Sequence, residues 1–114
     1  MKDINGTLQY KDREYKLVFN LNVMEEIQKK YGTLEKWGNL TDGSEGEVDA
    51  AAVIFGFMAM INEGIDIDND ENGTDIKPFT TKQVGRIITE VGMANATKKL
   101  NDTVTESTKN EKNG

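Results

Sequence analysis

The sequence predicts an α+β domain in which an N-terminal β-hairpin packs on a small bundle of about four helices with a central apolar helix. Apolar and polar residues alternate over the first twenty positions. A run with no charged residue, Ala-Ala-Ala-Val-Ile-Phe-Gly-Phe-Met-Ala-Met-Ile-Asn, spans Ala50 to Asn62. Helix punctuation is explicit elsewhere, most plainly at Thr80-Thr81-Lys82-Gln83, which has the capping-box pattern.

The hairpin follows from period-two patterning. Ile4, Gly6, Leu8 and Tyr10 alternate with polar positions, and Tyr15, Leu17 and Phe19 repeat the pattern after Lys11-Asp12-Arg13-Glu14. Val18 breaks the alternation, which points to apolar surroundings on both sides of the second strand. A helix is expected from Leu21 or Val23 to Tyr31, with Leu21, Met24, Ile27 and Tyr31 as its apolar stripe and Gly32 as its left-handed stop. Two caps compete for its start. Asn20 would let Phe19 staple onto Met24, and Asn22 would pair with Glu25. Lys29 and Lys30 suit the negative end of that helix.

Thr33 then caps a short helix from Leu34 to about Asn39 that carries Trp37, the single tryptophan, expected to plug the core edge. Thr41 to Gly46 reads as a loop, and Glu47 and Asp49 lead into the apolar helix, where acidic residues favour the N-terminus. A helix there sets Ile54, Met58 and Ile61 on one face, the preferred core face. Val53, Phe57 and Met60 lie on a second face, left for a partner, and Ala52, Gly56 and Ala59 lie on a third that allows close helix approach. Gly64 is expected to end it, followed by a polar connection from Ile65 to Lys77. Phe79 before the capping box can staple onto Val84. The next helix buries Val84, Ile87, Ile88 and Val91, and Gly92 separates it from a last helix, Met93 to about Val104. Residues 1–104 thus read as a single domain and 105–114 as a polar, disordered tail.

Composition narrows the chemistry. The chain has 114 residues, 36% of them hydrophobic, one proline, and neither cysteine nor histidine. Disulfides, thiolate nucleophiles, the usual zinc ligands and the commonest general base near neutral pH are thereby excluded. Ser44 lies in a Gly-rich acidic loop and Ser107 in the polar tail, so neither has a neighbouring base to activate it. No glycine pattern cradles phosphate, and Glu25 with Glu26 or Glu45 with Glu47 are solvated carboxylates. These readings exclude much of enzymology, a serine hydrolase included, and no cofactor is expected. The uncharged run, roughly 20 Å of helix, is too short to span a bilayer, so a soluble intracellular protein with no membrane partner is expected.

Net charge is −6, yet between Lys36 and Lys77 there are ten acidic residues and no basic one. That layout disfavours nucleic acid as a partner and suits a basic protein surface or another copy of the chain. Within it, Asp68-Asn69-Asp70-Glu71-Asn72-Gly73 imitates the opening of an EF-hand, with oxygen ligands on Asp68, Asp70 and Asn72 and glycine at the turn. The imitation fails further on. Asp75 stands where an apolar residue belongs and Phe79 where a bidentate Glu is needed, which leaves only weak adventitious cation binding.

The segment from Tyr15 to Trp37, YKLVFNLNVMEEIQKKYGTLEKW, resembles the tail assembly chaperones of long-tailed bacteriophages and prophages. The shared pattern is a strand entering a short helix through an Asn-rich cap, an aromatic-Gly-Thr-Leu turn, an alanine-rich apolar helix at Ala50 to Ile61, and Phe-Thr-x-x-x-Val-Gly at Phe79 to Gly85. The resemblance covers Gly6 to Leu100, and the acidic stretch from Ile65 to Lys77 is longer than the pattern requires. It implies a protein of the host bacterial cytoplasm, absent from the mature virion, that coats the tape-measure protein, recruits tail-tube protein and self-associates as a homo-oligomer. In that family a longer product arises by ribosomal frameshifting, and Lys109-Asn110 and Lys112-Asn113 are compatible with A-rich slippery codons. Two other classes compete with this reading. The ten acids suggest an acidic nucleic-acid mimic that inhibits a basic-groove protein, and the EF-hand-like stretch suggests a calcium-binding module.

Overall fold

A computed structural model describes residues 6–113, with side chains described as far as Ser107. The element order is β1 (Thr7–Tyr10), β2 (Arg13–Lys16), α1 (Leu21–Tyr31), α2 (Leu34–Thr41), α3 (Ala50–Asn72), α4 (Thr81–Val91) and α5 (Met93–Asn113). The expected α+β arrangement is present, with five helices following the hairpin. β1 and β2 pair antiparallel from Thr7 with Lys16 to Tyr10 with Arg13. The Lys11-Asp12 turn that joins them holds Lys11 at φ 56°. Ile4 lies outside the described residues. Beyond β2 the chain stays extended, and Leu17, Val18 and Phe19 are all buried, as the broken alternation at Val18 suggests.

α3 is the axis of the molecule and touches β2, α1, α2, α4 and α5. Asp49 caps it by accepting from the Ala52 N–H at 3.0 Å. Gly64 does not end it. The helix continues to Asn72 and stops at Gly73, which takes the left-handed conformation at φ 68°. Gly64 instead serves close approach, because a Cβ at this position would run into the carbonyl of Lys16 at the end of β2. One turn away, the Val18 N–H donates to the Met60 carbonyl at 3.3 Å. The hairpin therefore seats directly on helix backbone. Gly56 does the same for α2. A Cβ there would strike the Trp37 ring, whose indole N–H donates to the Ala52 carbonyl at 3.0 Å. Trp37 is buried and plugs the core as expected.

Local punctuation agrees with the sequence. Asn20, not Asn22, caps α1 by accepting from the Val23 N–H, and both halves of the capping box at Thr80 and Gln83 form. The buried residues of α1 are Val23 and Ile27, whereas Leu21 is 75% exposed. The core stripe is thus rotated from the expected one, leaving Leu21, Met24 and Tyr31 to one side. α2 extends two residues past Asn39 to Thr41. α5 runs to Asn113, past the end expected at about Val104. Its inner face, Ala96, Leu100 and Thr103, is buried.

Candidate functional site

The faces of α3 are used differently from the expectation. Val53, Phe57 and Met60, the expected partner face, are each fully buried. Five elements pack around α3, and this face is turned inward among them. Ile61 joins the core as expected, but Ile54 and Met58, expected beside it, are only half-buried. Ala51 is exposed and Phe55 half-buried on the same side. The apolar residues that solvent can reach on α3 include a strip of Ala51, Ile54, Phe55 and Met58, besides Ala50 and Ile67.

This strip lies between α1 and α4. Ile54 approaches α4 at Gly85, where a Cβ would meet its Cδ1 at 3.7 Å. Phe55 meets Tyr31 of α1 edge-on, with ring centroids 5.8 Å apart. The Lys30 ammonium sits 5.4 Å from the Phe55 centroid and 6.0 Å from that of Tyr31, an arrangement that keeps the cation at the rim of the apolar surface. Burial, and then the negative charge of Asp49, push the Tyr31 phenol above its ordinary value, so it stays neutral here. Leu21, Met24 and Tyr31 fall on one side of α1 at i, i+3 and i+10 spacing. The Tyr31–Phe55 contact links that side to the α3 strip. Leu21, Met24 and Tyr31 of α1 and Phe55 and Met58 of α3 are thus apolar side chains left exposed or half-buried at the edge of a completed core.

The C-terminal half of α3 is closed by the connection to α4. Ala51, Met58, Asn62 and Asn69 lie along one stripe, and each asparagine grips the returning chain. Asn62 Nδ2 donates to the Phe79 carbonyl at 3.0 Å, and the Phe79 N–H donates back to Oδ1 at 2.8 Å. Seven residues on, Asn69 does the same for Ile76 at 3.0 Å in both directions, and also accepts from the Thr74 hydroxyl at 2.7 Å. Two asparagines two turns apart thus hold the 73–80 segment against the helix. No periodicity signals such a pairing, because the partner groups are backbone from a distant stretch.

The acidic stretch is helix rather than loop, which removes the imitation of a calcium site. Asp68, Asp70 and Asn72 occupy positions i, i+2 and i+4 of α3, so Asp68 and Asp70 diverge by about 200° around the helix and cannot converge on one ion. Asp68 instead pairs with Lys16 at 3.3 Å. Among the described residues no group of three or more acidic side chains could hold a metal. Glu63 accepts from the side-chain amides of Asn20 at 2.8 Å and Asn22 at 3.1 Å, tying the start of α1 to α3. Part of the negative charge that suggested a nucleic-acid mimic is therefore spent on intramolecular contacts. Glu63, Asp66, Ile67, Asn69 and Asp70 line an open groove of about 460 Å³. By length and composition α3 could cross a membrane, but half of its apolar window is buried inside the domain.

Comparison with protein-family models, with curated proteins and with solved structures finds no match to this chain.

Proposed function

We propose that this chain is a non-enzymatic tail assembly chaperone of a long-tailed bacteriophage or prophage. It binds the tape-measure protein in the host bacterial cytoplasm, self-associates along it and helps recruit tail-tube protein. The family part of this reading rests on the sequence resemblance from Gly6 to Leu100. What supports a protein-binding role is the set of apolar side chains Leu21, Met24, Tyr31, Phe55 and Met58, which the fold leaves exposed or half-buried at the edge of a core already closed by other residues. Such side chains on two helices suit an amphipathic helix laid alongside, the kind of surface that a long helical partner offers.

The test is co-expression with the large coiled-coil-rich product of the neighbouring gene, followed by pull-down. The native chain should carry that product into the soluble fraction. Leu21→Glu should lose it while keeping the native melting temperature within a few degrees, since Leu21 is 75% exposed and surface changes typically cost less than about 0.5 kcal/mol. Phe57→Asp should unfold the domain, because it places a charge in the core. A product that stays soluble and unbound without this chain would sink the proposal.

A further inference from the structure

The hairpin and the start of α4 build a second surface, which does not use those apolar side chains. Tyr15 and Phe79 meet edge-on with centroids 5.0 Å apart, and Tyr10 approaches the same Phe79 at 6.4 Å. All three rings are half-buried. Around them gather cations: the Lys11 ammonium lies 5.5 Å from the Tyr10 centroid, and the Arg13 guanidinium carbon lies 5.9 Å from that of Tyr15. Arg86 and Gln83 of α4 close the far side of a pocket of about 510 Å³, in which Asp12 is the one carboxylate. Among the described residues the ion pairs are Lys16 with Asp68 and Lys98 with Asp102, so no described carboxylate forms an ion pair with Lys11, Arg13 or Arg86.

We propose that this pocket binds an acidic segment of another protein, seating an apolar side chain among Tyr10, Tyr15 and Phe79 and its flanking carboxylates on Arg13 and Arg86. Charge complementarity carries the choice. A guanidinium held over a ring keeps its N–H fork directed outward, and that fork matches a carboxylate. Rings and cations together also suit single-stranded nucleic acid. A polyanion continuing beyond the pocket would, however, face a chain of net charge −6 whose acids are concentrated on α3 and its flanking loops. A short acidic peptide needs only the local positive field. This surface is separate from the apolar side chains of α1 and α3, so either reading can fail alone.

The experiment is fluorescence anisotropy of a labelled short peptide with a Glu-Asp-Phe-Glu-Asp centre, titrated with the full chain. A peptide with lysines in place of the acids and a short oligothymidylate serve as comparisons. The acidic peptide should bind, more weakly when salt is raised to about 0.3 M. In the double variant Arg13→Gln, Arg86→Gln, affinity should fall about tenfold or more, as for loss of two charge-assisted contacts, with the melting temperature preserved because both side chains are exposed. Tyr15→Leu should weaken binding without altering its salt dependence. The proposal is overturned if the acidic peptide does not bind, if the double variant binds it unchanged, or if the oligonucleotide binds as tightly. It is also overturned if sedimentation shows that Arg13 and Arg86 drive self-association that the peptide competes with, since the occupant is then a second copy.

Discussion

Gly64→Ala is the sharpest probe of how the hairpin is seated. Inside a helix, replacing Gly by Ala gains about 1 kcal/mol from backbone propensity alone. At Gly85 of α4 that gain should be realised, because the new Cβ would find Ile54 Cδ1 at 3.7 Å, an ordinary contact. At Gly64 the new methyl group meets the carbonyl of Lys16, a backbone atom that no rotamer change can move aside. Overpacking of this kind costs about 1–3 kcal/mol, and separating β2 from α3 also loosens the Val18–Met60 hydrogen bond. With about 0.5–1 kcal/mol added for the loosened bond and the propensity gain of about 1 kcal/mol subtracted, the expected net loss is about 0.5–3 kcal/mol. For a domain near this size each kcal/mol moves the midpoint by about 4–8 °C. Thermal melts followed by far-ultraviolet circular dichroism should therefore show Gly85→Ala melting above the native chain and Gly64→Ala melting below it. If Gly64→Ala raises the midpoint as Gly85→Ala does, β2 does not rest on α3 at that residue.

Three further outcomes are expected. Asn62→Ala strips Phe79 of both backbone hydrogen bonds and should cost about 1–3 kcal/mol, with faster hydrogen exchange at the Phe79 amide; unchanged exchange there would contradict the clamp. Trp37→Phe loses the bond to the Ala52 carbonyl and should cost about 1 kcal/mol or more, while in the native chain Trp37 emission should lie to the blue and shift red on unfolding. Tyr31 holds its proton more tightly in the folded chain than in the unfolded one, first through burial and then through Asp49. The stability it contributes is whole below the ordinary tyrosine value of about 10 and is lost as the pH rises through that value toward the folded one. An absorbance titration should show a phenol ionising late, and a late phase surviving in Tyr31→Phe would refute its assignment.

Much of the fold is legible in the sequence because its cues are local. The cap at Asn20, the cap at Thr33, the capping box at Thr80 and Gln83, and the left-handed stop at Gly32 each involve groups within a few residues of one another. The alternation through Leu8, Tyr10 and Tyr15 likewise needs only neighbours in sequence to define a hairpin. Choices between helix faces were less legible. In a stretch as uniformly apolar as Ala50–Asn62, periodicity offers several equivalent faces, and the one turned inward depends on which elements arrive from elsewhere. Val53, Phe57 and Met60 are core because five elements close around α3. Met58 stays half-open because neither α1 nor α4 covers it completely.

The hairpin pocket illustrates the same division. Tyr10, Arg13 and Tyr15 are neighbours in sequence, but Phe79 and Arg86 join them only because Asn62 draws the 73–80 segment back along α3. Glycine gives the clearest case. In the sequence, Gly64 and Gly73 are the same residue type beside polar stretches, and either could stop a helix. One does so, with a positive φ, and the other lies inside a helix where a strand backbone presses against it. By itself the sequence determined that a hairpin precedes the helices, the capping box that starts α4 and the apolar character of the central segment, since these depend on interactions a few residues apart. The tertiary structure alone decided where α3 ends, which of its faces is core and which surfaces remain open, because those follow from contacts between residues tens of positions apart.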